Sequence, residues 1–333
     1  MKKMRMANAT YETKNFIRLL GLFLFVFILC SLLRPTLFLR GSNFSSMARQ
    51  FPEYGIMSIG MALAMLTGGI DLSIVYTANL SSILAAKLML STTTAANPDG
   101  SVGIILLICL YAIAIGLCCG LINGMLISKV GIPAILATLG TQQLFWGFAI
   151  VISNGKCING LPMNFFEIGN SSVLGIPLPL LLFAVLAIVF GFILNKTKFG
   201  EQLYLLGTNQ VASKFAGLNN DRLIITTYAC SGVLAAISGL VMMATTNSTK
   251  ADYGSSYTMQ CILIAVMGGV DPNGGMGDIR GLVVVVLILQ MLSSTLNMFE
   301  NLSNFYRDII WGMALIAVLI INYTINKREQ RIR

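Results

Sequence analysis

The sequence predicts an all-α fold: a polytopic membrane protein of about ten transmembrane helices, with broken helices near 68–71 and 268–277. Three observations predict it. Of 333 residues, 56% are hydrophobic and only 11% are charged, more apolar surface than one soluble core hides behind a polar exterior. The apolar residues gather into ten runs, most of them close to the ~20 residues that cross a bilayer as a helix. The basic residues behind the net charge of +9 lie between these runs and at the termini, a pattern of membrane topology and not of a nucleic-acid surface.

The runs fall near 16–33, 54–67, 71–90, 103–127, 133–152, 178–195, 223–244, 256–270, 281–298 and 308–325. Lys2, Lys3, Arg5, Lys14 and Arg18 lead into the first, and Arg34-Pro35 follows it where a signal peptide would have a small-residue cleavage site. It therefore reads as a retained helix behind a tail, residues 1–15. Residues 16–325 form a single transmembrane domain, and 326–333 a second tail. With the N-terminus in the cytoplasm, fifteen of the 22 basic residues fall on the inner side, although Arg34, Arg40 and Arg49 stay outside. Both termini are thus expected in the cytoplasm.

Chemistry is bounded by absence. There is no histidine, which removes histidine bases, ligands and proton relays. Cys30, Cys109, Cys118, Cys119, Cys157, Cys230 and Cys261 have no CxxC spacing and lie mostly in apolar runs, so they read as small packing residues. No metal site is expected. Asn154-Gly155-Lys156-Cys157 lacks the upstream glycine and the hydroxyl residue of a nucleotide-binding loop.

Two glycine breaks organise the chain. Thr67-Gly68-Gly69-Ile70-Asp71-Leu72-Ser73 ends an apolar run of about 14 residues from Tyr54. Gly268-Gly269-Val270-Asp271-Pro272 ends one of about 12 from Ser256, and Gly274, Gly275 and Gly277 follow. Both runs fall short of the ~20 residues of a spanning helix, which places the breaks in the membrane or at its edge. Interrupted segments at matching places in two halves point to a transport pathway. The two breaks stand six runs apart in the same orientation, whereas an inverted repeat needs an odd offset. A charge at the bilayer centre costs at least ~2.5 kcal/mol. Asp71 is accordingly either the N-cap of the third helix or a hydrogen-bonding group beside a pathway. Asp271 either caps a helix or pairs with Arg280.

Gly116, Gly120 and Gly124, four apart, allow close helix packing, within the chain or across a dimer. Thr138 and Thr141 are as suited to bonding their own helix as to lining a path. Gln142 and Gln143 need partners, so one of them is expected to face a polar cavity. Between 196 and 222, Asn209 can cap a short helix that Gly217 ends, giving either a docking element or a solvated connector.

An ordered set of segments now resembles a known family. They are Thr67 to Ser73, Leu121-Ile122-Asn123-Gly124, Ile132-Pro133 with Thr138-Leu139-Gly140-Thr141, Gly160-Leu161-Pro162, Thr197-Lys198-Phe199-Gly200, Gly207 with Asn209 and Gly217, Ser231-Gly232, Gly268-Gly269, and Gly274-Gly275 with Gly277. The chain resembles the membrane permease subunits of bacterial ATP-binding-cassette (ABC) sugar importers of the ribose, xylose, arabinose and galactoside group. The resemblance implies an inner-membrane subunit without catalytic residues or a cofactor of its own. It implies a second permease subunit, cytoplasmic ATPase subunits that bind ATP and Mg, and an extracytoplasmic solute-binding protein. It makes 196–222 the cytoplasmic coupling loop, with Asn209, Ala212, Lys214 and Gly217 against the ATPase. Gly68, Gly69, Gly268, Gly269, Gly274, Gly275 and Gly277 become hinges. A sugar has many hydroxyls and no charge, so Thr67, Asp71, Asn79, Asn123, Gln142, Gln143 and Gln260 are the candidate pathway.

The sequence departs from the family in two places. Val211-Ala212-Ser213 stands where Glu-Ala-Ala is common, and Asp271-Pro272-Asn273 where a small or hydroxyl residue is common. An ion-coupled secondary transporter of a small polar solute, using Asp71 or Asp271, is the alternative. A passive channel ranks last, for want of a charged ring or filter.

Overall fold

The computed structural model describes residues 2–93, 99–299, 309–313, 315–316 and 320. Helices dominate: α1 (Lys2–Leu33), α2 (Pro35–Phe38), α3 (Gly41–Leu66), α4 (Ile74–Thr92), α5 (Val102–Met125, continued by a π turn Leu126–Val130), α6 (Ala134–Ser153), α7 (Met163–Asn170), α8 (Leu178–Lys196), α9 (Lys198–Thr208), α10 (Gln210–Phe215), α11 (Asn220–Thr246), α12 (Tyr257–Met267) and α13 (Ile279–Leu296). Residues 309–313 are also helical, so the run at 308–325 lies largely outside the described residues. Strands β1 (Ile158–Asn159) and β4 (Ser248–Thr249) pair antiparallel, as do β2 (Ser172–Val173) and β3 (Ile176–Pro177).

Among the described residues, seven helices are long and apolar enough to cross a membrane: the Asn15–Leu33 part of α1, α4, α5 with its π turn, α6, α8, α11 and α13. The all-α membrane fold is therefore present, while the count of ten exceeds the seven. The two short runs differ from one another. The run from Tyr54 is the second half of α3, a continuous 26-residue helix that reaches about 39 Å at 1.5 Å per residue. Arg49, Gln50 and Glu53 lower the hydropathy of its first half, and Pro52 lies inside it. The first break is therefore the end of a full-length helix. By contrast α12 has 11 residues, about 16 Å, half a bilayer. Helix α1 runs unbroken from Lys2 to Leu33.

Packing follows side-chain size. Gly116, Gly120 and Gly124 of α5 lie on Gly232, Tyr228 and Ile225 of α11, and a Cβ at any of the three glycines would overlap α11 atoms. The small-residue stripe is thus consumed inside the chain. Helices α3, α4, α11 and α13 form the interior. Helices α1, α5, α6 and α8 surround them and turn outward residues such as Leu106, Leu107, Leu110, Ile188 and Phe192, the surface a lipid-facing helix presents. Pairing of β1 with β4 places the C-terminal ends of α6 and α11 at one end of the bundle. At the opposite end Lys129 pairs with Asp221 at 2.9 Å, beside α9 and α10.

Candidate functional site at the two glycine breaks

The first break begins where Thr67 caps α3, its hydroxyl donating to the Ala64 carbonyl at 2.7 Å. Gly68 turns the chain with φ +82, a conformation that only glycine adopts without strain. A Cβ at Gly69 would come within 2.7 Å of the Ala134 Cβ, and the Tyr228 hydroxyl lies closer still. The second break is a tighter loop. Gly269, Gly274 and Gly275 have φ of +99, +93 and +79. The Asp271 Oδ1 accepts from the Asn273 amide (2.9 Å) and side chain (3.1 Å). Both roles considered for Asp271 belong instead to Asp278, which caps α13 through the Arg280 amide (3.0 Å) and pairs with the Arg280 Nε at 2.7 Å. Asp271 sits too far ahead of the helix, and its carboxylate is used by its own turn.

The two breaks meet. The Gly275 amide donates to the Leu66 carbonyl at 3.1 Å, and a Cβ at Gly274 would lie 2.7 Å from the Gly68 nitrogen. Gly207 of α9 completes the contact, with no room for a Cβ between Leu66 and Gly275. Side chains from the α9–α10 segment reach both breaks. The Gln210 amide donates to the Thr67 carbonyl at 3.3 Å, and the Tyr204 hydroxyl to the Gly277 carbonyl at 2.7 Å. On the far side Asn15 of α1 donates to the Gly268 carbonyl at 3.4 Å.

Asp71 is 2% exposed. Its Oδ1 accepts from the Ser73 amide (3.1 Å) and hydroxyl (2.7 Å), and its Oδ2 from the Ser231 hydroxyl (2.7 Å). The chain of bonds continues from the Asn123 amide to the Ser73 oxygen (2.7 Å) and from the Thr141 hydroxyl to Asn123 Oδ1 (2.6 Å). The Thr138 hydroxyl donates to the Ile70 carbonyl at 2.9 Å. Asp71 is therefore no N-cap of α4: of its three donors only the Ser73 amide is backbone. Its carboxylate binds the first break to α11 and, through Ser73, to α5 and α6.

The remaining pathway candidates do not converge. Asn79 donates to the carbonyls of Ala251 (3.0 Å) and Tyr253 (2.9 Å), fixing the approach to α12. Gln142 and Gln260 are half-buried and Gln143 is exposed. None of the three has a hydrogen-bond partner among the described residues.

A second buried polar cluster escaped the sequence. Glu53 is 7% exposed; its oxygens accept from Thr245 (3.0 Å) and Tyr257 (3.2 Å). Next to it the Tyr54 hydroxyl donates to Gln290 (2.7 Å), whose amide donates to Gln50 (3.3 Å). The apolar run from Tyr54 excludes Glu53, and Gly41, Ser45, Ser46 and Pro52 are weak helix formers, so no local signal extends the helix across it.

Beyond the junction, α10 is held outward. The Asn209 Oδ1 accepts from the amides of Val211 (3.0 Å) and Ala212 (2.9 Å), and the Asn220 amide donates to the Gln210 carbonyl (2.8 Å). Gly217 ends the segment with φ +81. Val211 and Phe215, one helical turn apart, are 65% and 90% exposed, with Ala212 and Lys214 exposed beside them. Val211 and Phe215 thus form a bare apolar knob on a capped helix.

Taken together, an all-α multi-pass bundle with paired backbone breaks, joined by a projecting surface segment, is the construction of a membrane transport subunit. Residues 43–319 match the family described as "Branched-chain amino acid transport system / permease component", and the chain belongs to that permease family. It is 36% identical to the ribose import permease protein RbsC of Bacillus subtilis, over 90% of each chain. It is 31% identical to the RbsC protein of Haemophilus influenzae, over 95% of each. With the autoinducer 2 import system permease protein LsrD of Enterobacter sp. it shares 30% identity, over 84% of each.

Proposed function

We propose that this chain is the membrane subunit of an ABC importer, forming the path for a sugar or sugar-like solute, and that the end carrying α9 and α10 faces the cytoplasm. The observation that carries this reading is the α10 knob, tied through Gly207, Gln210 and Tyr204 to both breaks. The relatives support a polyhydroxylated solute, since their names specify import of ribose and of autoinducer 2. The basic residues at the α9–α10 end, Lys129, Lys196, Lys198, Lys214, Arg222 and Arg280, support its cytoplasmic placement.

In this reading ATP and Mg bind a separate ATPase pair, which receives Val211 and Phe215 in an apolar socket, with Asn209, Ala212, Lys214 and Gly217 framing the contact. A second permease subunit completes the pathway, and an extracytoplasmic binding protein delivers the solute at the β1–β4 end. ATP binding and release bias the bundle between outward-open and inward-open states, with α9 and α10 carrying the movement to the breaks. Thr67, Asp71, Asn79 and Asn123 serve as framework, their polar atoms largely spent on bonds within the chain. The free amides of Gln142, Gln143 and Gln260 are the groups left to meet solute or the second subunit. The ion-coupled alternative requires Asp71 or Asp271 to take up and release an ion, whereas both Asp71 oxygens already accept hydrogen bonds from serines and the Asp271 Oδ1 accepts two from Asn273.

The test is co-reconstitution of the chain with its ATPase and binding protein in liposomes, followed by uptake of radiolabelled ribose and related sugars. Uptake is expected only with internal ATP and only with the binding protein present. Equal uptake without ATP, or uptake abolished by an ionophore while ATP persists, overturns the proposal.

A further inference from the structure

We infer that the α9–α10 segment and the two glycine breaks form one rigid body, in which Gly207, Tyr204 and Gln210 are positioning residues that couple the docking knob to both breaks at once. The inference rests on the proposed function for its consequence, but the rigid body itself stands on geometry. Three backbone segments distant in sequence touch without intervening side chains: Leu66–Gly68, Gly207–Thr208 and Gly274–Gly275. The Gly275 amide is bonded to the Leu66 carbonyl at 3.1 Å. Substituent atoms are excluded from every face of this contact. A Cβ at Gly274 would sit 2.7 Å from the Gly68 nitrogen and 3.0 Å from the Gly207 carbonyl oxygen, and one at Gly275 2.7 Å from the Thr208 nitrogen.

Close backbone contact of this kind leaves little freedom to slide, because packed atoms at van der Waals distance resist compression and have few alternative arrangements. Two hydrogen bonds then fix the orientation. Gln210, the first residue of α10, holds the Thr67 carbonyl in the first break. Tyr204, on α9, holds the Gly277 carbonyl in the second. Both carbonyls lie where a helix has ended or not yet begun, so no intrahelical partner competes for them. A push on Phe215 is therefore delivered to the end of α3 and to the loop between α12 and α13 simultaneously. Bending is left to other parts of the chain, such as the half-length α12. Coupling through a contiguous packed network has a physical warrant only if its parts move together, which is the content of the inference.

The test uses the assembled transporter with spin labels on unnatural residues introduced at 205, 276 and 250, exposed or half-exposed positions on α9, in the second break and at the opposite end, all outside the docking face. Distances are read with and without ATP. The 205–276 distance is expected to stay constant while the 205–250 distance shifts. In the double variant Y204F/Q210A the 205–276 distribution is expected to broaden at least twofold, with ATPase binding retained, because the docking face is untouched. A 205–276 distance that changes with ATP as much as 205–250, or that stays narrow in the double variant, overturns the inference. If no pair responds to ATP the proposed function fails, and the width in the double variant still decides the rigid body. The variant G207A is expected to be more severe; recovery of a folded G207A protein with a narrow 205–276 distribution counts equally against it.

Discussion

The Gly275 amide donates to the carbonyl of Leu66 at 3.1 Å, so that the loop after α12 closes the end of α3. A helix ends with unsatisfied carbonyls, and here the partner of one is supplied by the other break of the same chain. This bond turns two similar-looking sequence features into one structural site.

Removing the Asp71 carboxylate tests whether it is framework. Asp71→Ala leaves the Ser231 and Ser73 hydroxyls without their acceptor in a buried setting, a loss of about 1–3 kcal/mol. Asp71→Asn retains one acceptor oxygen and is expected to lose less. Thermal unfolding of the purified protein in detergent should rank the native chain above Asn above Ala. Uptake normalised to folded protein should fall by less than the yield in both. Full stability with abolished uptake would instead return Asp71 to the pathway.

Glu53 offers a contrast, since both its oxygens accept from hydroxyls that can also act as acceptors. Glu53→Gln fits the same space and is expected to change stability by no more than about 0.5 kcal/mol. Glu53→Ala removes both bonds and opens a gap between α3, α11 and α12, for about 2 kcal/mol. Denaturation midpoints of the two variants are the check.

Glycines on opposite faces should separate by environment. Gly120→Ala forces a methyl into the α11 backbone at Tyr228 and Ala229, whereas Gly140 has nothing within 4 Å of an added Cβ. Overpacking costs about 1–3 kcal/mol or more. Gly140→Ala is expected to gain up to about 1 kcal/mol from helix propensity. The monodisperse fraction on size-exclusion chromatography should collapse for the first and hold for the second.

Val211 and Phe215 make no buried contact that would explain their exposure. The double variant Val211→Ser, Phe215→Ser is expected to fold normally and to lose the ATPase. Central apolar anchors each contribute about 1–2 kcal/mol or more to an interface, so affinity should fall by at least roughly tenfold. Titration of ATPase onto the detergent-solubilised permease measures it.

The apolar runs and the glycine clusters were legible because each is written locally: a helix-long stretch of apolar residues, a pair of glycines, a capping asparagine before a short helix. The polar groups of the site were less so. Asp71 and Asp271 have similar surroundings in sequence, yet one is enclosed by Ser73 and Ser231 and the other closes a surface turn. The sequence places Gln142 and Gln143 in one helix without saying which of them faces a cavity, because the face a helical residue presents depends on which neighbours cover the opposite side. Glu53 is not legible as a buried group because the polar, Pro52-containing stretch before Tyr54 carries no local helix signal.

The sequence by itself determined that this is an all-α membrane protein, where the chain breaks, and that no histidine takes part. It could do so because hydropathy, helix propensity and glycine's freedom are properties of short segments. Only the tertiary structure decided that the two breaks touch, that Gly207 seats between them, and that the α5 glycines are spent on α11. Those contacts join segments far apart along the chain, and which segments meet is set by side-chain volumes and hydrogen bonds satisfied across helices. No local stretch of sequence encodes that.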